Sequence, residues 1–149
     1  MGFAAPDYAA DKFMGYHNEH ILVVCDEASG IDDAIYNGGV KAVMSSGSLV
    51  RLLMIGNPTK PNGYFYDSFK RGDDGAFKIS AYDTPNFPEY GITHEDIASG
   101  SWQSKITGPL PRPYLASPEW AASIWDDCGH NIDHPEYRIR VLAEFPEEA

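Results

Sequence analysis

The chain has 149 residues, 43% hydrophobic and 13% aromatic, which is enough for one folded domain and excludes a disordered tail. No apolar run approaches the about 18 residues of a membrane span, and the N-terminus lacks a signal-peptide pattern. Eleven basic against 22 acidic residues give a net charge of −11. That balance opposes contact with a polyanion, unless a local patch such as Lys60, Lys70 and Arg71 faces it.

The first element is the run Ile21-Leu22-Val23-Val24-Cys25, which ends in Asp26-Glu27 and the small-residue turn Ala28-Ser29-Gly30. An apolar, β-branched run between polar residues predicts a fully buried strand of a parallel sheet. Its carboxyl end is where open α/β sheets bind ligands. Successive side chains alternate in direction there, so two adjacent acids can take different tasks. One can hold a hydrated Mg²⁺ while the other orients a water for attack on a phosphate, the chemistry of a Walker B segment. The plain alternative is a strand followed by an acidic turn and a helix cap.

A stretch of helical length, Ile31 to Ser46, follows, with Asp32 and Asp33 capping its start. The next strand-like run is Leu49 to Ile55, and it ends in Gly56-Asn57-Pro58-Thr59. Strand, crossover helix and strand form a right-handed βαβ unit, which puts Asp26, Glu27 and Asn57 on one edge of the sheet. A neutral amide there can hydrogen-bond a terminal phosphate or the attacking water. Gly56 lets the backbone turn sharply, and Pro58 stops the strand. Gly-Asn-Pro by itself makes a turn; the acidic strand one crossover earlier makes it a candidate site.

Further on, Pro61-Asn62-Gly63 predicts a turn and Tyr64 to Lys70 a short aromatic-faced helix, whose rings pack in a core or stack on a base. Phe77 to Tyr82 alternates with period two and predicts a strand. Thr84-Pro85-Asn86-Phe87-Pro88 forces irregular backbone. A helix over His94 to Ser99 is capped by Thr93, and Gly108 to Pro113 is a rigid connector without regular structure. Ser117-Pro118-Glu119 opens a helix that runs to Cys128 and stops at Gly129, with Trp120, Ile124 and Cys128 facing the core. A last element begins near Pro135 and carries Arg138 and Arg140, read as an ion-pairing face.

The two cysteines are Cys25, read as a small core residue, and Cys128. Cys128-Gly129-His130 with His134, and His17 with His20, carry metal-ligand residue types without the paired spacing of a structural zinc site. His130 and His134 are read as part of a polar turn between the last two elements. His17 either approaches the acidic strand or anchors its loop.

Several blocks together resemble the large subunit of tailed-phage terminases, the ATPase that packages viral DNA. They are Gly15-Tyr16-His17, the segment Ile21 to Ile31, Gly56-Asn57-Pro58-Thr59, the segment Gly63 to Phe69, and Tyr137 to Pro146. They follow one another in the family's order over most of the chain. The resemblance implies an α/β fold, part of a P-loop NTPase with a three-layer, mainly parallel sheet over residues 1–83 and an irregular, helical tail over 84–149. It implies that Asp26 binds Mg²⁺ through water and that Glu27 is the catalytic carboxylate. Asn57 would lie in the motif that senses the γ-phosphate, and Gly56, with Asp26, would border the nucleotide.

For the complete protein the resemblance implies ATP and Mg²⁺ as cofactors. Its partners would be double-stranded DNA, a portal ring and a small terminase subunit, and it would form a homo-oligomeric ring in the cytoplasm of a bacterial host. No G-x-x-x-x-G-K-[ST] phosphate loop occurs in these residues. The family carries that loop upstream of the acidic strand and a metal-dependent nuclease downstream. The chain is therefore expected to be the C-terminal part of an ATPase domain, truncated on both sides, inactive alone and without nucleotide affinity. Two other readings stay open. A helicase also has an Asp-Glu-Ala-Ser type motif but normally carries Ser/Thr-Ala-Thr in place of Gly56-Asn57-Pro58-Thr59. An assembly module could keep the shape without the activity.

Overall fold

A computed structural model describes Gly15, residues 17–72 and residues 75–147. The chain divides into two compact units, Met1–Asp74 and Gly75–Ala149. The first holds two parallel strands, β1 (His20–Cys25) and β2 (Leu49–Met54), paired in register from His20 with Leu49 to Cys25 with Met54. Their crossover is helical: α1 (Asp33–Ile35), a π turn (Tyr36–Val40) and α2 (Lys41–Met44). Parallel strands require such a crossover, and the chain is accordingly α/β.

Asp32 caps α1, its Oδ1 accepting from the Ala34 N–H at 2.8 Å. The expected single helix is widened in its middle, where the Lys41 N–H reaches back five residues to the Tyr36 carbonyl. This turn contains Gly38-Gly39 and brings Ile35, Tyr36, Gly39, Val40 and Val43 to the buried side. After β2 comes α3 (Gly63–Lys70), tied to α1 by the Tyr64 N–H, which donates to Asp33 Oδ1 at 2.9 Å.

The expectation of a fully buried first strand is corrected. Only one face of the pair packs: Ile21, Val23 and Cys25 alternate with exposed residues, and Leu22 and Val24 are 64% and 52% exposed. Leu49, Leu53 and Ile55 are exposed likewise. A hydrophobic run cannot state how many of its faces are covered, because composition is identical whether one or two layers pack on it.

In the second unit no strand is present among the described residues. Phe77 to Ser80 forms no ladder, Phe77 and Ile79 are exposed, and the chain then enters a 3₁₀ turn at Ala81–Asp83. The period-two pattern is real, but a strand needs a partner edge, and here the Ala81 N–H bonds the Val141 carbonyl instead. Helices α4 (His94–Ser99), α5 (Trp102–Lys105), α6 (Pro118–Asp127) and α7 (Pro135–Arg140) surround a core of Phe87, Ile92, Ile97, Ala121, Ile124, Trp125, Cys128, Tyr137 and Val141. The helix starts follow the sequence reading. Ser117 Oγ accepts from the Trp120 N–H, and Thr93 forms a reciprocal capping box with Asp96. Trp120 is partly buried, whereas Ile124 and Cys128 are in the core.

Two buried polar residues fix the irregular stretches. Asn86, fully buried, donates to the carbonyls of Arg112, Leu115 and Ala116 and accepts from the Arg112 N–H, so it holds the end of the proline-rich connector. Asp96 accepts from the Thr93 N–H and hydroxyl, from Ser101 Oγ and from Lys105 Nζ at 2.7 Å. The Lys105 ammonium, foremost among these donors, holds its carboxyl well below the usual range. Among the described residues no helix is long and apolar enough to cross a membrane.

Replacing Asn86 by Ala removes its bonds to four backbone groups, of which the Arg112 carbonyl keeps the Leu115 N–H, and is expected to lower unfolding stability by about 1–3 kcal/mol in denaturant titration. Because the folded-state pKa of Asp96 is depressed, its contribution is full above the ordinary carboxylate range and fades as pH falls below it. The melting temperature should therefore drop with acidification in the native chain, and Asp96→Asn should flatten that dependence.

Candidate functional site

Parallel pairing sends both strands out of the sheet at the same end. Asp26 and Glu27 follow β1 there, and Ile55, Gly56 and Asn57 follow β2. The ladder continues past the last paired residues: the Ile55 N–H donates to the Cys25 carbonyl at 3.0 Å, and the Ala28 N–H donates to the Ile55 carbonyl at 2.9 Å. The acidic turn and the Gly-Asn-Pro-Thr loop are thus one hydrogen-bonded rim.

Gly56 is required at this approach. A Cβ built on it would stand 2.9 Å from the Ala28 nitrogen, closer than side chains come, and would touch the Glu27 carbonyl carbon at 3.4 Å. Both neighbours are backbone and cannot rotate away. The rest of the loop is anchored by Ser29, whose Oγ accepts from Thr59 Oγ1 at 3.0 Å and from the Lys60 N–H at 3.1 Å. Pro58 is buried, whereas Asp26, Glu27 and Asn57 are exposed.

Glu27 has φ 51° and ψ 44°, a left-handed conformation that costs a non-glycine residue roughly 1–2 kcal/mol. The surrounding bonds maintain it: the Glu27 N–H donates to Asp26 Oδ1 at 2.9 Å, and the Glu27 carbonyl accepts from the Gly30 N–H at 2.9 Å. The Glu27 carboxylate itself has no hydrogen-bond partner among the described residues. A strained residue with an uncommitted functional group is the pattern found at working sites.

Beneath the turn lies Tyr36, fully buried on the π segment. Its hydroxyl donates to the Ala28 carbonyl at 3.1 Å and interacts with the Cys25 thiol. Burial, with the neighbouring Cys25 and Asp33, pushes the phenol far above its usual range, and burial likewise raises Cys25. Both therefore act as neutral supports rather than as acids or bases. The Tyr36 ring stacks on Tyr64, centroids 4.6 Å apart and 15° from parallel. Lys41 and Arg71 stand 5.6 and 5.5 Å from the Tyr64 centroid.

The sequence thus named the residues at the rim, and missed those that position it: Tyr36, Ser29, Thr59 and the Asp33–Tyr64 bond. A tyrosine four residues into a helix carries no periodic signal that it supports a turn eight residues earlier. His17 is exposed, and Tyr16 of the Gly15-Tyr16-His17 block lies outside the described residues. Of the expected basic patch, Lys70 lies 4.5 Å from the Tyr66 ring centroid and Arg71 over Tyr64, so aromatic faces share their charge. In the second unit Arg140 pairs with Glu136 at 2.9 Å, and Arg138 lies near Glu144 and Glu147, consistent with the ion-pairing face expected there.

Over 136 residues, 91% of its length, the chain is 42% identical to a protein described as a probable terminase, large subunit, of Enterobacteria phage P7. The match covers 23% of that protein, so the chain spans under a quarter of the length of the curated relative. No family model matches the chain, and no solved structure matches it.

Tyr36→Phe removes the bond to the Ala28 carbonyl while keeping the ring stack, and should cost about 1 kcal/mol of stability in denaturant titration. Gly56→Ala should cost more, since the backbone of the acidic turn must move, and amide chemical shifts of residues 26–30 should report that displacement.

Proposed function

We propose that this chain, similar over most of its length to part of a phage terminase large subunit, carries the hydrolytic half of an ATP site in a DNA-packaging motor. In this reading it is part of a P-loop ATPase domain, and β1 and β2 belong to a larger parallel sheet. Asp26 holds a hydrated Mg²⁺, Glu27 orients the attacking water, and Asn57 hydrogen-bonds the terminal phosphate, with Gly56 permitting the loop to close on the turn. ATP supplies the phosphoryl group and Mg²⁺ neutralises its charge; these side chains position the water and the metal.

The observation that carries the reading is the bonded rim: two acids and one carboxamide on adjacent turns at one end of a parallel pair, held by the Ala28–Ile55 and Ser29–Thr59 bonds. Two adjacent exposed acids on a surface turn are common. Two acids on a strained turn braced from beneath by a buried tyrosine, with the neighbouring loop requiring glycine, are far less so. Double-stranded DNA, a portal ring, a small terminase subunit and a ring of identical subunits are the partners proposed for the complete protein, with the bacterial cytoplasm as its location. The net charge of −11 assigns contact with DNA to local basic surface or to other parts of that protein.

The chain alone should bind no ATP in a calorimetric titration, because β- and γ-phosphates are gripped chiefly by a phosphate loop. Joined to the sequence upstream of it in its gene, it should hydrolyse ATP in the presence of Mg²⁺. Glu27→Gln in that longer protein should lower kcat by about 10²–10⁴-fold with a smaller change in KM. Hydrolysis that survives this substitution would remove Glu27 from its assigned role.

A further inference from the structure

The second unit brings together three side chains of metal-ligand chemistry that the ATPase reading does not use. Cys128 ends α6, and His134 and Glu136 open α7. Their candidate ligand atoms, the Cys128 sulfur, a His134 ring nitrogen and a Glu136 carboxylate oxygen, all lie within 4.8 Å of one another. We propose that Cys128, His134 and Glu136 form a zinc site with a fourth position open to water, which fastens the end of α6 to the start of α7.

The backbone builds this convergence. Gly129 and His130 are consecutive left-handed residues, at φ 62° and 58°, and reverse the chain directly after α6. The reversal is closed by the His130 N–H on the Trp125 carbonyl at 3.0 Å and the Asn131 N–H on the Cys128 carbonyl at 3.3 Å. The His134 N–H then bonds the Asn131 carbonyl at 3.1 Å, which returns the chain over Cys128. A stacked pair, Trp125 and His130 at 5.5 Å and 3° from parallel, packs beside the turn.

The donor set suits zinc in type and charge. Thiolate, neutral imidazole and carboxylate together neutralise a divalent ion, and three protein ligands plus water is the arrangement of an open zinc centre. Tetrahedral ligands at zinc distances stand about 3.5 Å apart, so atoms up to 4.8 Å apart must close by at most about 1.3 Å. Cys128 is buried, 4% exposed, while the Glu136 side chain is 42% exposed and held, among the described residues, by Arg140 alone. His134 Nδ1 accepts from the Glu136 N–H at 3.2 Å, so zinc would take either Nδ1 in exchange for that bond or the other ring nitrogen, Nε2, after it gives up its proton. Arg140 holds Glu136 Oε1 at 2.9 Å and leaves the other oxygen for a metal.

Cobalt(II) is the direct probe, because a thiolate ligand gives a charge-transfer band that oxygen and nitrogen ligands do not. The full chain, stripped with a chelator, should bind one equivalent of Co²⁺ with that band, and Zn²⁺ should displace it. Cys128→Ser should abolish the band, whereas Cys25→Ser should leave it intact. His134→Asn, which retains a residue able to cap α7, and Glu136→Gln should each weaken binding by at least about tenfold with unchanged circular dichroism. Zinc should raise the melting temperature of the native chain and not that of Cys128→Ser. A cobalt spectrum without the thiolate band, a band that persists in Cys128→Ser, or unaltered affinity in His134→Asn would overturn the proposal.

Discussion

The peptide groups around Ile55 are bonded on both sides to the neighbouring turn, its N–H to Cys25 and its carbonyl to the Ala28 N–H. The geometry of the whole rim depends on this one ladder extension. It stops β1 and β2 from splaying as they leave the sheet, and it brings Gly56 so close to the Ala28 nitrogen that a side chain there would force the backbone apart. With both backbones locked, Asp26, Glu27 and Asn57 are among the side chains exposed at this end. A site that must hold two anionic groups near each other benefits from such bracing, since rigid backbone does not relax to separate them.

Support comes from below as well as across. Tyr36 reaches the Ala28 carbonyl from the segment where the helix widens, Tyr36–Val40, and Asp33 links the same helix to α3. The crossover is therefore more than a connector: its π turn sets the depth of the tyrosine, the tyrosine holds the 3₁₀ turn, and the turn carries the strained Glu27. Packing and hydrogen bonds far weaker than a covalent link thereby fix the position of the glutamate.

Much of this was legible in the residues. Val and Ile runs marked both strands, Ser117-Pro118 and Thr93 marked helix starts, and Gly129 marked a helix end, because each of these signals acts through local sterics or a local hydrogen bond. What escaped depended on distant partners. Phe77 to Tyr82 has the alternation of a strand but no edge to pair with, and Asn86 reads as a turn residue although it is a buried clamp on a segment about 26 residues away. Glu136, which nothing in the sequence singles out, joins Cys128 and His134 only once the chain has reversed at Gly129 and His130.

The claim on which the functional account stands is that the acidic turn and the Gly-Asn-Pro-Thr loop address the same phosphate. A crystal structure of the longer polypeptide with Mg²⁺ and a non-hydrolysable ATP analogue tests it most directly. The account predicts a water-mediated contact from Asp26 to the metal, Glu27 facing a water in line with the γ-phosphate, and the Asn57 amide within hydrogen-bond reach of that phosphate. A nucleotide bound away from this rim, or a γ-phosphate met by neither Glu27 nor Asn57, would contradict it.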